Sequence, residues 1–461
     1  MTNENDDQPT NENDDQFILP GIPRRRFMGG ASKLGLFVAA GGISAVAAAC
    51  SSDDDESSST TPGTDAPTTD APTTDAPSDT TAATDAPAVT TPATPVSDEP
   101  IKVAIILPST GPYAALGGMQ ARGIRLAMGD EIAGREIEYV DIEEPLFAPQ
   151  DAIQLVQNNS DADVFVGVIG GNTALAIRDT IHDMEKPLLV TNAVTRAITG
   201  SRKSPYIWRA STTGYQAGVN LGPWMFENLG VSMDTAAPDY ASGHELVDYP
   251  ARFFEESGGE VIGQFFPPLG NADYAAVLTE MASSSSVFVY SFFAGGDAIR
   301  YVTQYAEFIG VDEKQLCGLT LVDDLTLVEQ GDAAEGVMTL GGWNQAIDTP
   351  QNAEFMSAFE DAYGELPNSY ANSGNNGGTI LRMAIESING DVENAELFSA
   401  AIGDVEFTNL LGTDFRFDKE THNAISFQTL DQIQRLDDGS LGFVQIAELG
   451  EAVDPGDDVA P

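Results

Sequence analysis

The sequence predicts an α/β fold in which two doubly wound, Rossmann-like lobes follow a leader and a flexible tether. From Ile101, short apolar runs alternate with longer amphipathic runs, which is typical of βαβ units around a mostly parallel sheet. After Thr212 this alternation begins again. Residues 101–461 are also long enough, and apolar enough, to build two ordinary domains.

The residues around position 25 are those of an export signal. Arg24, Arg25 and Arg26 precede an apolar run at 34–49. Basic residues, a short apolar core and small residues before a cut site form a secretory signal, and this run is shorter than the roughly 20 apolar residues that span a bilayer. The Arg24-Arg25 pair resembles the twin-arginine signal, which is read by a translocase that carries folded proteins. We therefore expect residues 1–49 to be removed.

The three alanines before Cys50 resemble a bacterial lipobox, in which the cysteine is acylated and becomes the mature N-terminus. An ordinary cleavage site with an incidental cysteine is the alternative. The composition of the next segment favours the lipobox, because residues 51–100 are rich in Ser, Thr, Asp and Pro, and Asp-Ala-Pro occurs four times among them. Such a segment stays extended and disordered. We predict that residues 50–100 are a lipidated cysteine and a tether.

Charge and cysteine content narrow the function of the folded part. Residues 101–461 hold 54 acidic and 17 basic residues. Nucleic-acid binding is excluded because it needs a basic surface, and a strongly solvated acidic surface is the plainest interpretation. Cys317 is the one cysteine after Cys50, so this part forms no internal disulfide. Its apolar neighbours favour a buried packing thiol over a nucleophile.

The first lobe is predicted from five apolar runs and the helical patterns between them. We expect strands at 101–107, 137–140, 164–168, 187–190 and 206–210. A helix carries Met119, Ile124 and Met128 at helical spacing, and two further helices are expected at 151–158 and 172–184.

The second lobe follows the same pattern, after which the chain returns. We expect helices at 215–229, 243–256, 272–282 and 296–309. The strands between them are a weak one before Pro238 and those at 261–266, 287–291 and 315–319. A strand at 337–343 leaves this lobe, and helices at 352–363 and 379–388 rejoin the first. Strands at 415–418, 425–434 and 442–449 complete the prediction.

Four short motifs occur in one order along the chain. They are the strand and loop at 101–117, Pro-Asp-Tyr-Ala-Ser-Gly at 238–243, Gly-Asp-Ala-Ala-Glu-Gly-Val at 331–337, and Ser-Tyr-Ala at 369–371. In this order the chain resembles the branched-chain amino-acid-binding family, the type I solute-binding proteins of ABC importers, from Ile101 to Leu449.

The resemblance implies the type I periplasmic binding protein fold, with two lobes joined by a three-crossover hinge and a ligand held between them. The crossovers would lie near 210–212, 342–345 and 418–423. One lobe would then hold 101–211 and 344–418, and the other 212–343 and 419–449. Residues 450–461 would form an acidic tail.

Ligands of doubly wound sheets bind beyond the carboxyl ends of the strands, where loops lead into helices. In the first lobe these loops supply seven candidate ligand-binding residues: Ser109, Thr110, Tyr113, Gly170, Gly171, Asn172 and Thr173. The free N–H groups near Gly171 could bind a carboxylate. Tyr113 could instead pack on its own lobe, and Asn172 or Thr173 could cap a helix. The resemblance adds Ala193 through its backbone and Thr195 through its hydroxyl.

The second lobe supplies Tyr240, which should face the cleft, and Phe292 and Phe293 at a strand end, which could equally be a core pair. Relatives place an acid near Thr320 to pair with the ligand's ammonium, but no carboxylate stands at that position. Asp323 could substitute, or could begin a helix. We expect the lobes to capture a small organic solute, an amino acid or a related carboxylate or amide, by hinge closure. The missing acid favours a ligand other than a branched-chain amino acid, such as an aromatic acid, an amide or a short carboxylate.

An enzyme is disfavoured, because the three histidines are scattered and no nucleophile elbow, P-loop or metal-binding spacing occurs. We expect no cofactor and no metal. The resemblance implies a solute-binding lipoprotein on the outer face of the bacterial cytoplasmic membrane. Its partners would be a small solute, an ABC permease with its ATPase and, through the lipid, the membrane. A ligand-sensing receptor module of the same fold is the alternative.

Overall fold

The computed structural model describes residues 97–456. The predicted signal, Cys50 and nearly all of the tether lie outside the described residues. The first lobe begins as predicted, with strands and helices alternating from Ile101. Its elements are β1 (Ile101–Leu107), α1 (Ala114–Met128), β2 (Glu131–Ile132), β3 (Arg135–Glu143), α2 (Asp151–Asn158), β4 (Val164–Gly167), α3 (Gly171–Asp183), β5 (Leu188–Val190) and β6 (Ile207–Arg209).

The second lobe repeats the alternation. Its elements are α4 (Gly214–Val219), α5 (Leu221–Asn228), β7 (Ser232–Ala236), α6 (Ala241–Glu256), β8 (Glu260–Phe265), α7 (Ala275–Ser283), β9 (Phe288–Phe292), α8 (Gly295–Phe308), β10 (Gln315–Leu319), α9 (Thr326–Gln330) and β11 (Met338–Gly341). The helix expected at 215–229 is divided at Asn220, and Pro223 stands in the first turn of its second half, where a missing N–H costs nothing.

The remaining chain serves both lobes. Its elements are α10 (Pro350–Tyr363), α11 (Ser369–Ser387), α12 (Ala395–Gly403), β12 (Phe407–Thr408), β13 (Asp414–Phe415), β14 (Phe417–Asp418), β15 (Asn423–Ala424), β16 (Ser426–Arg435) and β17 (Leu441–Ala452). Helix α12 has no counterpart in the sequence prediction, whereas α9 follows Asp323, where a helix start was one of the two alternatives.

Two twisted sheets form the centres of the lobes, which confirms the predicted fold class. One sheet has the order β14-β15-β6-β5-β4-β1-β3-β2, and the other has the order β17-β16-β11-β10-β9-β7-β8. Strands β1 and β3 to β6 run parallel, as do β7 to β11, whereas β16 and β17 are antiparallel. Strand β1 is almost wholly buried, as expected for a strand with helices on both faces.

Helix α11 returns to the first lobe and lies directly on α1. A Cβ on Gly123 would collide with the carbonyl oxygen of Ala371, and one on Gly374 with that of Gln120, so the two backbones approach as only glycine allows. The helix begins ten residues before the predicted start, because Asn368 accepts hydrogen bonds from the backbone N–H groups of Tyr370 and Ala371 at 3.1 Å. Because of this early start, Tyr370, Ser373 and Asn376 belong to the helix and lie at the cleft.

Two predicted boundaries near the C-terminus need correction. The third crossover follows Ala424, later than 418–423, because Asn423 still pairs with Arg209 in the first sheet. Strand β17 continues beyond Leu449 to Ala452, where Gln216 donates to the carbonyl oxygens of Ala424 and Ala452 at 2.8 Å each. The predicted tail thus begins inside the second sheet. Within residues 97–456, no helix has both the length and the apolar character of a membrane span.

Candidate functional site

A cavity of about 240 Å³ lies between the two lobes. Residues of the first lobe and of the first crossover form one side, and residues of the second lobe form the other. The lining residues are Tyr113, Leu116, Ile169, Thr191, Asn192, Val194, Ala210, Ser211, Thr212, Tyr370, Ser373 and Asn376 on the first side, and Tyr240, Ser242, Leu246, Phe292, Ala294, Leu319 and Thr320 on the second.

Two phenols meet across the cleft. The hydroxyl oxygens of Tyr113 and Tyr240 are 3.4 Å apart, and both rings line the cavity. Burial raises the pKa of each phenol well above its ordinary value, so both stay protonated and able to donate. Tyr240 faces the cleft as the sequence predicts, and Tyr113 reaches across it although its side chain is almost fully buried.

Ser109 and Thr110 lie away from the cavity. Their hydroxyls and backbone N–H groups donate to the carboxylate of Glu143, with Thr110 Oγ1 at 2.7 Å. Burial opposes ionisation of Glu143, but these hydrogen bonds outweigh it and lower its pKa. The two residues therefore fix the loop after β1 that presents Tyr113.

The carboxylate position predicted at the start of α3 is already occupied by the protein itself. Glu144 accepts from the N–H groups of Ile169 and Gly170 at 2.8 and 2.7 Å. Burial raises the pKa of Glu144 to about 7, although the same hydrogen bonds lower it. Neither Gly170 nor the buried Thr173 lines the cavity. The sequence could not show that Glu144, at the end of β3, folds onto this helix terminus.

Gly171 and Asn172 instead join the lobes, through contacts that we call the interlobe latch. The Gly171 N–H donates to Ser242 Oγ at 3.2 Å, and the Ala241 N–H donates to Asn172 Oδ1 at 3.2 Å. A Cβ on Gly171 would collide with the hydroxyl of Thr195. The described state is therefore the closed one, with the start of α3 against the start of α6.

The segment after β5 reaches the cavity with residues other than the two predicted. Thr191, Asn192 and Val194 line it, whereas Ala193 and Thr195 do not. The Ala193 N–H donates to Val168 O at 2.9 Å, and its carbonyl oxygen accepts from Arg209 and Ser211. The backbone of Ala193 is thus used within the first lobe, and the side chain of Thr195 packs beside Gly171.

In the second lobe the two phenylalanines have different surroundings. Phe292 lines the cavity, whereas Phe293 is a core residue whose ring centre is 4.1 Å from that of Tyr301 and 5.2 Å from that of Tyr274. Strand residues alternate between the two faces of a sheet, which explains why adjacent residues part here.

The two polar candidates after β10, Thr320 and Asp323, also differ in position. Thr320 lines the cavity and holds a left-handed φ of +53°, with its hydroxyl donating to Phe293 O at 3.0 Å. Asp323 lies outside the cavity and accepts from the N–H groups of Leu325 and Thr326, at 2.9 and 2.8 Å, at the start of α9. Burial raises the pKa of Asp323. Its role at a helix start, the alternative left open by the sequence, is the one observed.

None of the residues that line the cavity is charged. Arg209 directly precedes the lining residues 210–212, and its buried guanidinium donates to the carbonyl oxygens of Ala193 and Thr195. Burial lowers the pKa of Arg209 to about 10, so it stays cationic at neutral pH. Its guanidinium is thus used within the first lobe and is not part of the cavity wall.

The sequence prediction missed the contribution of α11. Tyr370, Ser373 and Asn376 line the cavity, and they are spaced at three-residue intervals, so they share one face of the helix. The Ser-Tyr-Ala motif at 369–371 was a signal for Tyr370. Ser211 and Thr212 could also have been identified, because they lie in the predicted first crossover.

Three comparisons with known proteins bear on these findings. A family model described as periplasmic binding protein matches residues 100–437. An ABC transporter substrate-binding protein from Sphaerobacter thermophilus is 31% identical, and the match covers 77% of this chain and 99% of that chain with a TM-score of 0.69. Among curated proteins, no sequence matches this chain.

Two further solved structures are described with a ligand. A solute-binding protein of an ABC transporter from R. palustris, in complex with benzoate, is 27% identical over 78% of this chain and 99% of that chain, with a TM-score of 0.71. One from Rhodopseudomonas palustris BisB5, in complex with 3,4-dihydroxybenzoic acid, is 28% identical with the same coverage and a TM-score of 0.72.

Proposed function

This chain belongs to the periplasmic binding protein family, with the type I fold of its branched-chain amino-acid-binding-like members, and we propose that it captures a small aromatic acid for an ABC importer. The solute binds outside the cytoplasm, between the lobes, and the closed form is the one that the permease receives. We propose no catalytic step, no cofactor and no metal. Within residues 97–456, no cluster of three His, Cys, Asp or Glu side chains is arranged to hold a metal ion.

One observation carries this proposal: the cavity has aromatic walls and no charged lining residue. Tyr113, Tyr240, Phe292 and Tyr370 surround it. Its volume of about 240 Å³ lies below the 300–1,000 Å³ that are typical of sites for drug-sized ligands. A single substituted ring is the size and the character of solute that such walls favour.

The uncharged lining disfavours a free amino acid. An ammonium group buried here would lack a carboxylate partner, which is costly in a low-dielectric site. A carboxylate can instead accept hydrogen bonds from uncharged donors, and Thr212, Tyr113 and Tyr240 bring hydroxyl-bearing side chains to the cavity wall. The aromatic acids named for two relatives at 27% and 28% identity support the same chemical class.

Closure follows from the contacts that the lobes make with each other. A solute that touches Tyr113 and Tyr240 at once has partners in both lobes only when the cleft is closed. Its binding therefore shifts the population toward the closed form, together with the interlobe latch.

We expect benzoate to raise the melting temperature of the full chain, whereas leucine, isoleucine and valine leave it unchanged. At a ligand concentration of about 100 times Kd, binding adds about 2.7 kcal/mol to the stability, a shift of several degrees. Differential scanning fluorimetry measures it. Cyclohexanecarboxylate is the control ligand for the ring, since it keeps the acid and the size. A shift with leucine and none with benzoate would contradict the aromatic-acid assignment.

We also propose that the protein is exported and anchored through a lipid on Cys50, as the arginine pair and the alanines before Cys50 indicate. Cys50→Ser should release the protein from the membrane fraction into the soluble fraction, because acylation needs the thiol. Fractionation and immunoblotting measure the distribution, and Ser51→Ala is the neighbouring control. If the Cys50→Ser protein stayed with the membrane, the anchor would lie elsewhere.

A further inference from the structure

Residues 191–196, which we call the wall segment, follow β5 and supply part of the cavity wall. Thr191, Asn192 and Val194 line the cavity, whereas Arg196 at the end of the segment does not. Before Arg196 the segment forms no helix or strand. Its shape therefore depends on the hydrogen bonds that its backbone groups make with other parts of the protein.

The first lobe holds carbonyl oxygens of the wall segment. The guanidinium of Arg209, at the end of β6, donates to Ala193 O and to Thr195 O. The Ser211 hydroxyl in the first crossover also donates to Ala193 O, at 3.0 Å. Strand β6 is the neighbour of β5 in the first sheet, so these donors fix the segment from within its own lobe.

The N–H group at the end of the wall segment has a partner in the other lobe. The Arg196 N–H donates to Glu245 Oε2 at 2.7 Å. Glu245 lies on α6 of the second lobe, three residues after Ser242 of the interlobe latch, so both side chains are on the face of α6 that meets the first lobe. Glu245 does not line the cavity. A side chain outside the cavity therefore completes the hydrogen bonding of its wall.

We propose that Glu245 is a positioning residue for solute binding: from the second lobe it fixes the end of the wall segment, and so keeps the lining residues of that segment in place against the solute. This inference rests on the proposed function and deepens it. A binding site keeps its geometry only when the residues that touch the ligand are held by others that do not.

The contact needs an oxygen acceptor and does not need a charge. A carboxyl oxygen accepts from an N–H in either protonation state, and so does the amide oxygen of glutamine. Without an acceptor at position 245, the N–H of the buried residue Arg196 loses this partner, which is unfavourable. The wall segment then shifts so that water reaches the N–H, and solute binding has to reverse that shift.

The test compares Glu245→Met with Glu245→Gln by isothermal titration of the full chain with benzoate. Methionine keeps the length of the side chain and supplies no oxygen, so Glu245→Met should bind benzoate about tenfold more weakly, as for one lost hydrogen bond of a buried group. Glu245→Gln should stay close to the unaltered protein. A merely structural glutamate would lower the melting temperature of Glu245→Met and leave its affinity for benzoate unchanged, and that result would overturn the proposal.

Asp248→Leu is the matched control. Asp248 lies one turn further along α6, and its carboxylate accepts from Gln264 Nε2 at 3.5 Å within the second lobe. Removing this carboxylate should leave the affinity for benzoate unchanged. An equal loss in Asp248→Leu would mean that any change on α6 weakens binding, and the proposal would be wrong.

Hydrogen exchange of the Arg196 N–H, resolved by nuclear magnetic resonance, is a second measurement that needs no ligand. It should be faster in Glu245→Met than in Glu245→Gln, and equal rates would show that the contact does not hold the wall segment. If Glu245→Met fails to fold, slow exchange in the unaltered protein supports the proposal, and exchange as fast as in an exposed loop overturns it. If benzoate does not bind the unaltered protein, the proposed function is wrong, while the exchange rates still decide whether Glu245 holds the wall segment.

Discussion

Gly295→Leu is expected to weaken the binding of benzoate by about 5- to 150-fold, the effect of 1–3 kcal/mol of steric overlap in a packed contact. Gly295 begins α8 in the second lobe and holds a positive φ of +54°. A Cβ there would stand 2.8 Å from Leu116 Cδ1 and 3.2 Å from Pro112 O. Both of those residues belong to the first lobe, so a side chain at position 295 has no room once the cleft closes.

The loss should appear in binding and not in folding, because the open form leaves this glycine clear of the first lobe. A leucine at a positive φ also strains the backbone, and this effect needs its own control. Gly331→Leu supplies it: Gly331 is in the same lobe, its φ is +52°, and no atom lies within 4 Å of a Cβ built there.

Isothermal titration with benzoate and thermal unfolding without ligand separate the two effects. Gly295→Leu and Gly331→Leu should lose similar amounts of stability, whereas only Gly295→Leu should lose affinity. Equal affinity in the two variants would mean that the closed contact between α8 and the loop before α1 is not required for binding.

The fold could be predicted from the sequence because each strand of the two sheets is a short apolar run between helical patterns. Strand β1 and helix α2 have the predicted bounds. The start of α11 could not be predicted, since asparagine and glycine at 372–378 disfavour a helix in isolation. Its packing against α1 needs small residues at these positions, and tertiary contact outweighs the local preference.

The sequence predicts which loops form the site, but it does not predict which residues of those loops face the cavity. The loops after β1, β5, β9 and β10 all reach the cavity, and Tyr113, Tyr240, Phe292 and Thr320 line it. Which residues of the irregular segment after β5 face the cavity depends on the path of its backbone, and Thr191, Asn192 and Val194 line the cavity whereas Ala193 and Thr195 do not. Long-range occupation of a helix terminus, as by Glu144, leaves no local signal in the sequence.

The second large effect on stability is expected in the C-terminal segment, after residue 437, where the match to the family model ends. Arg196 follows β5 and is 7% exposed, and Asp454 follows β17 and is 1% exposed. The Arg196 Nε–H donates to both carboxylate oxygens of Asp454, at 2.8 and 2.9 Å. The guanidinium carbon also lies 5.2 Å from the ring centre of Tyr215 and 5.8 Å from that of Tyr249. Asp454, which the sequence analysis places in an acidic tail, is thus the buried counter-ion of Arg196 in the first lobe.

Asp454→Asn should lower the free energy of unfolding by about 3–5 kcal/mol, because it removes the carboxylate that pairs with the buried cation of Arg196. Urea denaturation of the full chain measures the loss. Asp404→Asn is the matched control, since Asp404 pairs with Lys419 at the surface, where both side chains are more than 60% exposed. Removing an exposed pair should cost only about 0–1 kcal/mol.

The loss of stability in Asp454→Asn should also depend on pH through Glu245. The carboxylate of Glu245 accepts from the backbone N–H of Arg196 at 2.7 Å. Burial, with a smaller contribution from Asp454, raises the pKa of Glu245 to about 7. Ionised Glu245 can replace part of the missing charge, so Asp454→Asn should be more destabilising at pH 5.5 than at pH 8. A loss no larger than that of Asp404→Asn at both pH values would show that the C-terminal segment does not stabilise the first lobe.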